Sequence, residues 1–172
     1  MARSLSLAAV VSLLITVAAC APNEPPPGDA VAFDACQPLL LMPDPAATAA
    51  ERAGIAAGAA LWNANAGTQL TVADADASVD AFLPIHFQTA AAAFHGLYDP
   101  TNGQVFINTD LGGGAQAVTI AHEIGHAFGL AHVPTNERSS VMNPGNLNVE
   151  PNASDVATLA LRWGACREPA YP

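Results

Sequence analysis

The sequence predicts a single α+β domain behind an export segment, and three observations carry that reading. Short apolar runs bounded by Pro, Gly and Asn recur between Leu39 and Asn108, one alanine-rich amphipathic stretch interrupts them, and two further helical stretches follow Gly112. Runs of strands followed by helices, rather than strict alternation, are the mark of an α+β layer arrangement. Leu39–Met42 lies between Pro38 and Pro43 and is too short for a helix, so it reads as a strand. From Thr48 to Ala64, Ile55, Ala59 and Trp62 recur at spacings of four and three, which predicts an amphipathic helix ending near Asn65-Ala66-Gly67. Leu70–Val72 and Leu83–Phe87 read as strands joined by an acidic loop containing Asp74, Asp76 and Asp80. Ala91–Tyr98 reads as a strand or an irregular edge. Asp99-Pro100-Thr101-Asn102-Gly103 is a turn, and Gln104–Asn108 a further strand. Gly112–Gly114 breaks the chain before a helix over Ala115–Leu130. Ser154–Trp163 reads as the last helix, with Asn152 as N-cap, Asp155 in the first turn and Gly164 just past the end.

The chain has 172 residues, 51% hydrophobic and 12% charged, with no lysine and 5 basic against 15 acidic side chains. That length holds one domain with a real core. A formal charge of −10 excludes nucleic acid as the expected partner, because phosphate binding rests on clustered Arg and Lys. Part of the hydrophobic total belongs to residues 1–19, where Arg3 precedes an apolar run from Leu5 to Ala19. The run falls short of the roughly 20 residues that span a bilayer and has the layout of a secretory signal. Its end, Val17-Ala18-Ala19-Cys20, resembles the lipobox of bacterial lipoproteins, and Ala21 resembles the outer-membrane sorting class. The resemblance implies that Cys20 is diacylated and becomes the mature N-terminus. A monomer held by its N-terminal lipid in the bacterial cell envelope, on the outer membrane, is therefore expected. Residues 20–35 would form a Pro-rich tether, and residues 36–172 the domain. Without Arg3 the mature chain keeps 4 basic and 15 acidic residues, so its formal charge is −11. In an oxidising compartment the two remaining cysteines, Cys36 and Cys166, are expected to be bonded to each other.

The chemistry is concentrated in Thr119–His132. Residues four apart on a helix share a face about 6 Å apart along the axis, so His122 and His126 can present two imidazoles to one ion, flanked by Glu123. His132 cannot join them on a continuing helix: six residues add about 9 Å of rise and a rotation of roughly 240°. The chain must double back, and Gly129 stands where a left-handed residue would allow it. Three neutral imidazoles leave one tetrahedral position open for water, the arrangement of a catalytic zinc ion. A carboxylate beside such a water is the expected general base, so Glu123 takes that role and amide hydrolysis is the expected reaction. His86 and His95 each stand alone in a strand pattern and are read as structural.

His122–His132 matches HExxHxxGxxH in full, and Ser140-Val141-Met142-Asn143-Pro144 resembles a Met-turn. The chain thus resembles the metzincin clan of zinc metallopeptidases, and its matrixin branch in Ala127-Phe128-Gly129-Leu130 and in the ending Leu161-Arg162-Trp163-Gly164. The resemblance implies a twisted, mostly parallel five-stranded sheet with two long helices. It also implies a small lower lobe carrying the Met-turn and the C-terminal helix. Met142 would form an apolar floor beneath one catalytic zinc. A protein or peptide substrate would lie extended along the edge strand near Phe94–Tyr98, with Val133–Asn143 walling the specificity pocket. The chain departs from the family at Asn143, where relatives often carry Tyr, and at Phe106, so a second, structural zinc is not expected although His95 falls near such a position. The pro-segment cysteine switch is absent. Calcium at Asp74, Asp76 and Asp80 is possible by analogy but is not predicted, an acidic solvated loop being the reading adopted. The alternative from another class is a non-catalytic, zinc-stabilised binding module or adhesin, against which Glu123 argues. A peptidoglycan cross-link is the alternative substrate, without a separate cell-wall module to support it.

Overall fold

Two prolines bracket β1 (Pro38–Pro43), whose Leu39 and Leu41 are buried while Leu40 and Met42 are partly exposed, the two-residue alternation of a sheet packed on one face. The structure, a computed structural model, describes residues 31–73 and 82–166. Cys20, the lipobox and the acidic loop Asp74–Asp80 lie outside the described residues. From β1 the chain enters α1 (Ala49–Ala66), β2 (Gln69–Val72), β3 (Phe82–Gln88), β4 (Gly96–Asp99), β5 (Gln104–Asn108), α2 (Gly113–Ala127) and α3 (Ala153–Trp163). The five strands are ordered β2-β1-β3-β5-β4; every pair is parallel except β4 with β5, which leaves β4 as an antiparallel edge. The protein is thus α+β, with a mostly parallel five-stranded sheet and three helices.

Thr48 starts α1 by a capping box: its hydroxyl accepts from the Glu51 amide, and the Glu51 carboxylate accepts from the Thr48 amide. Ile55, Ala59 and Trp62 point from α1 into one core with Leu41, Leu83, Ile85, Val105 and Ile107 of the sheet and Ile120 and Ile124 of α2. The two helices approach closely at Gly58, where a Cβ would stand 2.9 Å from the Ala117 carbonyl oxygen. Trp62 fixes their register, its indole N–H donating to the Ala121 carbonyl at 2.8 Å.

Two elements differ from their sequence-based extents. Ala91–His95 does not extend the edge strand: the Phe94 amide turns back to the Ala91 carbonyl, and the buried Asn108 side chain donates to the Phe94 carbonyl at 2.8 Å. His95 therefore lies just before β4 rather than within a strand. The long helix runs Gly113–Ala127, starting and stopping earlier than Ala115–Leu130. Its early stop is a consequence of the turn at Gly129 described below.

Cys36 and Cys166 are bonded, with Cα atoms 4.7 Å apart and a sequence separation of 130. Closing a loop of that length removes chain entropy from the unfolded state worth at most about 5 kcal/mol. The bond ties the start of the sheet to the end of α3, and the Trp163 indole N–H, donating to the Phe128 carbonyl at 2.8 Å, ties α3 to the end of α2. Among the described residues no helix is long and apolar enough to cross a membrane.

Candidate metal centre

α2 is buried along nearly its whole length, from Gln116 to Gly125. His122 and His126 sit on its inner face one turn apart. At its end the Gly129 amide donates to the His126 carbonyl (2.8 Å) and the Leu130 amide to the Gly125 carbonyl (2.9 Å), the two bonds of a Schellman motif. Gly129 at φ 81° occupies the left-handed position that motif requires. The reversal returns His132 to the helix, as the spacing predicts.

The three Nε2 atoms then meet: His122 to His126 and His126 to His132 are 3.1 Å apart, and His122 to His132 is 3.2 Å. Among the described residues these three form the group able to hold a metal ion. A tetrahedral ion with bonds of 2.0–2.1 Å would space its ligand atoms about 3.3–3.4 Å apart, so the triangle fits zinc-sized geometry to within about 0.3 Å.

Proton assignments strengthen the fit. His122 Nδ1 stands 2.6 Å from the Val141 carbonyl, and His126 Nδ1 2.8 Å from the Leu130 carbonyl. A carbonyl oxygen can only accept, so both Nδ1 atoms carry protons and both neutral rings turn bare Nε2 lone pairs toward each other. Lone pairs facing each other at 3.1 Å repel, and a shared cation relieves that repulsion. Burial keeps the rings neutral: it pushes the His122 pKa down to about 4 and, with the charges of the other two rings, that of His126 down to about 3. Burial also lowers the pKa of His132. All three stand in the ligating form at neutral pH.

Glu123 is 3% exposed, and burial raises its carboxyl pKa to about 8 against the opposing effect of the Tyr98 backbone amide. Its neighbour is the edge strand. A Cβ on Gly96 of β4 would stand 2.9 Å from Glu123 Oε1 and 2.9 Å from Thr119 Cγ2, so the bare glycine makes room for this carboxylate.

Met142 is 1% exposed and packs its sulfur against Gly125 of α2, the residue before His126. Asn143 is turned inward: its side-chain amide donates to the Val133 and Arg138 carbonyls, and its oxygen accepts from the Ser140 amide. It braces the Val133–Asn143 loop.

Three contributors escape a reading of the sequence. Asp155, legible only as a first-turn acid of α3, is 1% exposed and accepts from Ser140, Val141, Asn152 and Arg138. The Asn152–Asp155 spacing signals the capping box but not the contacts with the Met142 turn. Gly96 carries no signal of its own beside Glu123. Arg162 lies over Gly129, where a Cβ would meet its guanidinium carbon at 2.5 Å. His86 is structural in the expected sense: its Nδ1 lies 2.7 Å from Asp44 and its ring stacks on Phe106, away from the three-histidine group.

Compared with known protein families and with curated proteins, the chain matches no family model and no curated sequence.

Proposed function

We propose that the protein is a zinc-dependent endopeptidase of the metzincin type, matrixin-like, lipid-anchored through Cys20 in the bacterial cell envelope. The observation that carries the reading is the convergence of His122, His126 and His132 Nε2 atoms within 3.2 Å, with the Glu123 carboxylate on the same helix. Among the described residues the group consists of three side-chain ligands, and three protein ligands are the pattern of a catalytic rather than a closed structural site.

His122, His126 and His132 would hold the ion through Nε2, in tautomers set by the Val141 and Leu130 carbonyls. A zinc ion in that position supplies Lewis acidity toward a peptide carbonyl and lowers the pKa of water. Glu123 accepts the proton of the attacking water on its carboxylate and returns it to the leaving amine. Burial raises the Glu123 pKa in the metal-free protein, and a cation held beside it by the three histidines would lower it again and favour the carboxylate that acts as base. Among the described residues β4 is the edge of the sheet, to which an extended peptide would add by backbone hydrogen bonds, and the close approach of Gly96 to Glu123 supports a path for it beside the base.

The test is digestion of a peptide library by the zinc-loaded protein, with metal analysis of the same sample. About one zinc per chain, cleavage abolished by a chelator and restored by zinc, is the expected result. One zinc per chain without cleavage would favour the zinc-stabilised binding module. Anchoring has its own test. Cys20→Ser should move the exported protein from the membrane fraction to the soluble fraction, and persistent membrane association would instead indicate an uncleaved apolar anchor.

A further inference from the structure

Asp155 is a buried carboxylate that accepts from four donors in two different stretches of chain, residues 138–141 and Asn152. Two of those donors belong to the Met142 turn, and following them leads to the metal centre. The Ser140 hydroxyl donates to Asp155 Oδ1 at 2.5 Å, and Ser140 Oγ in turn accepts from the Met142 amide at 3.0 Å. That amide belongs to the peptide group whose other end is the Val141 carbonyl. The Val141 carbonyl accepts from His122 Nδ1 at 2.6 Å. Each link therefore points the same way, from carboxylate to hydroxyl to peptide to imidazole.

We propose that Asp155 is a positioning residue for His122, acting through the Ser140 hydroxyl and the Val141–Met142 peptide to set the ring's tautomer and strengthen its Nε2 as a metal ligand. Hydrogen bonds in series polarise one another, so the charge on Asp155 increases the acceptor strength of the Val141 carbonyl and with it the donor strength of His122 at Nε2. The relay delivers the influence of a carboxylate without placing a second buried anion next to Glu123. A hydroxyl at position 140 is essential to it, because that oxygen must donate toward Asp155 and accept from Met142 at once. Asn146, whose side chain also donates to the Val141 carbonyl at 3.2 Å, holds that oxygen in place but contributes no charge.

The inference rests on the three-histidine metal centre, not on peptide hydrolysis. Zinc affinity of the full chain is measured by competition with a chromophoric chelator, alongside nitrogen NMR of the His122 ring and thermal unfolding in the metal-free state. Ser140→Ala breaks the relay while leaving Asp155 its bonds to Val141, Asn152 and Arg138, and should weaken zinc binding about tenfold; Asp155→Asn should weaken it about 10- to 100-fold. The NMR spectrum of both variants should show the His122 proton shared between Nδ1 and Nε2, where the parent holds it on Nδ1. Arg138→Gln strips the cation from the same Asp155 oxygen that accepts the Ser140 hydroxyl, and should leave zinc affinity at or above that of the parent with the His122 proton still on Nδ1. A parent chain that binds zinc, with both relay variants folded and equal to it in affinity and tautomer, overturns the inference. A parent chain that binds no zinc overturns the metal-centre reading itself.

Discussion

Glu123→Gln should abolish most peptide hydrolysis while leaving zinc bound, with a loss of about 10²–10⁴-fold in kcat at unchanged zinc stoichiometry. The glutamine fills the same space between Gly96 and Thr119 but cannot take a proton from water. A second effect of opposite sign identifies the same group. In the metal-free protein burial raises the Glu123 pKa to about 8, above the value near 4.5 of an exposed glutamate. A carboxyl group whose folded pKa is raised contributes stability that is present below pH 4.5 and is lost as pH climbs through 8, because the unfolded chain gives up that proton first. Glu123→Gln removes the loss. The metal-free variant should therefore match the parent near pH 4.5 and exceed it by several kcal/mol above pH 8, on the order of 5. Zinc should shrink that advantage, since a nearby cation favours the ionised carboxylate. Unfolding curves across pH, with and without zinc, read the whole pattern. An unchanged rate of hydrolysis would remove Glu123 from the chemistry. A flat stability difference would mean that its carboxyl group is not the buried acid described above.

The histidines titrate in the other direction. Their folded pKa values of about 4 and 3 lie below the ordinary value near 6.5, so the stability that neutral His122 and His126 permit is present above pH 6.5 and lost as pH falls toward 4. The metal-free domain is thus squeezed from the acid side by His122 and His126 and from the alkaline side by Glu123. A bound cation relieves both.

How much of this was legible in the sequence follows from how local each feature is. His122, His126 and Gly129 could be placed because helical periodicity and one left-handed glycine are short-range rules, and the Schellman bonds at Gly129 and Leu130 are those the rule requires. The strands could be placed because Pro38, Pro43, Asp99 and Gly103 punctuate them. Pairing order could not, since β3 joins β1 and β5 across long separations that no run of residues encodes. Asp155 was legible as a cap and illegible as a partner of the Met142 turn, because a first-turn acid looks the same whether it faces water or a buried loop. Gly96 was silent for the same reason: what distinguishes it is a carboxylate 27 residues further along the chain.

Gly129→Val should be the most damaging single change outside the ligands. The residue sits at φ 81°, where a β-branched side chain meets its own backbone, at a cost of about 2–3 kcal/mol. Any Cβ there also enters the space of the Arg162 guanidinium, which lies over the Trp163 ring at 5.2 Å. Relief by unwinding the Schellman turn would swing His132 out of the triangle, leaving two ligands for the ion. Zinc affinity should fall by at least about 100-fold, and the metal-free protein should unfold several degrees lower. Two companions separate the causes. Gly129→Ala carries a smaller backbone penalty and the same collision with Arg162. Combining it with Arg162→Ala removes the collision and leaves the backbone term. If the reversal of the chain is what matters, the double variant should recover stability while its zinc affinity stays below that of the parent. Full recovery of affinity in the double variant would show instead that Arg162, not the left-handed turn, governs where His132 points.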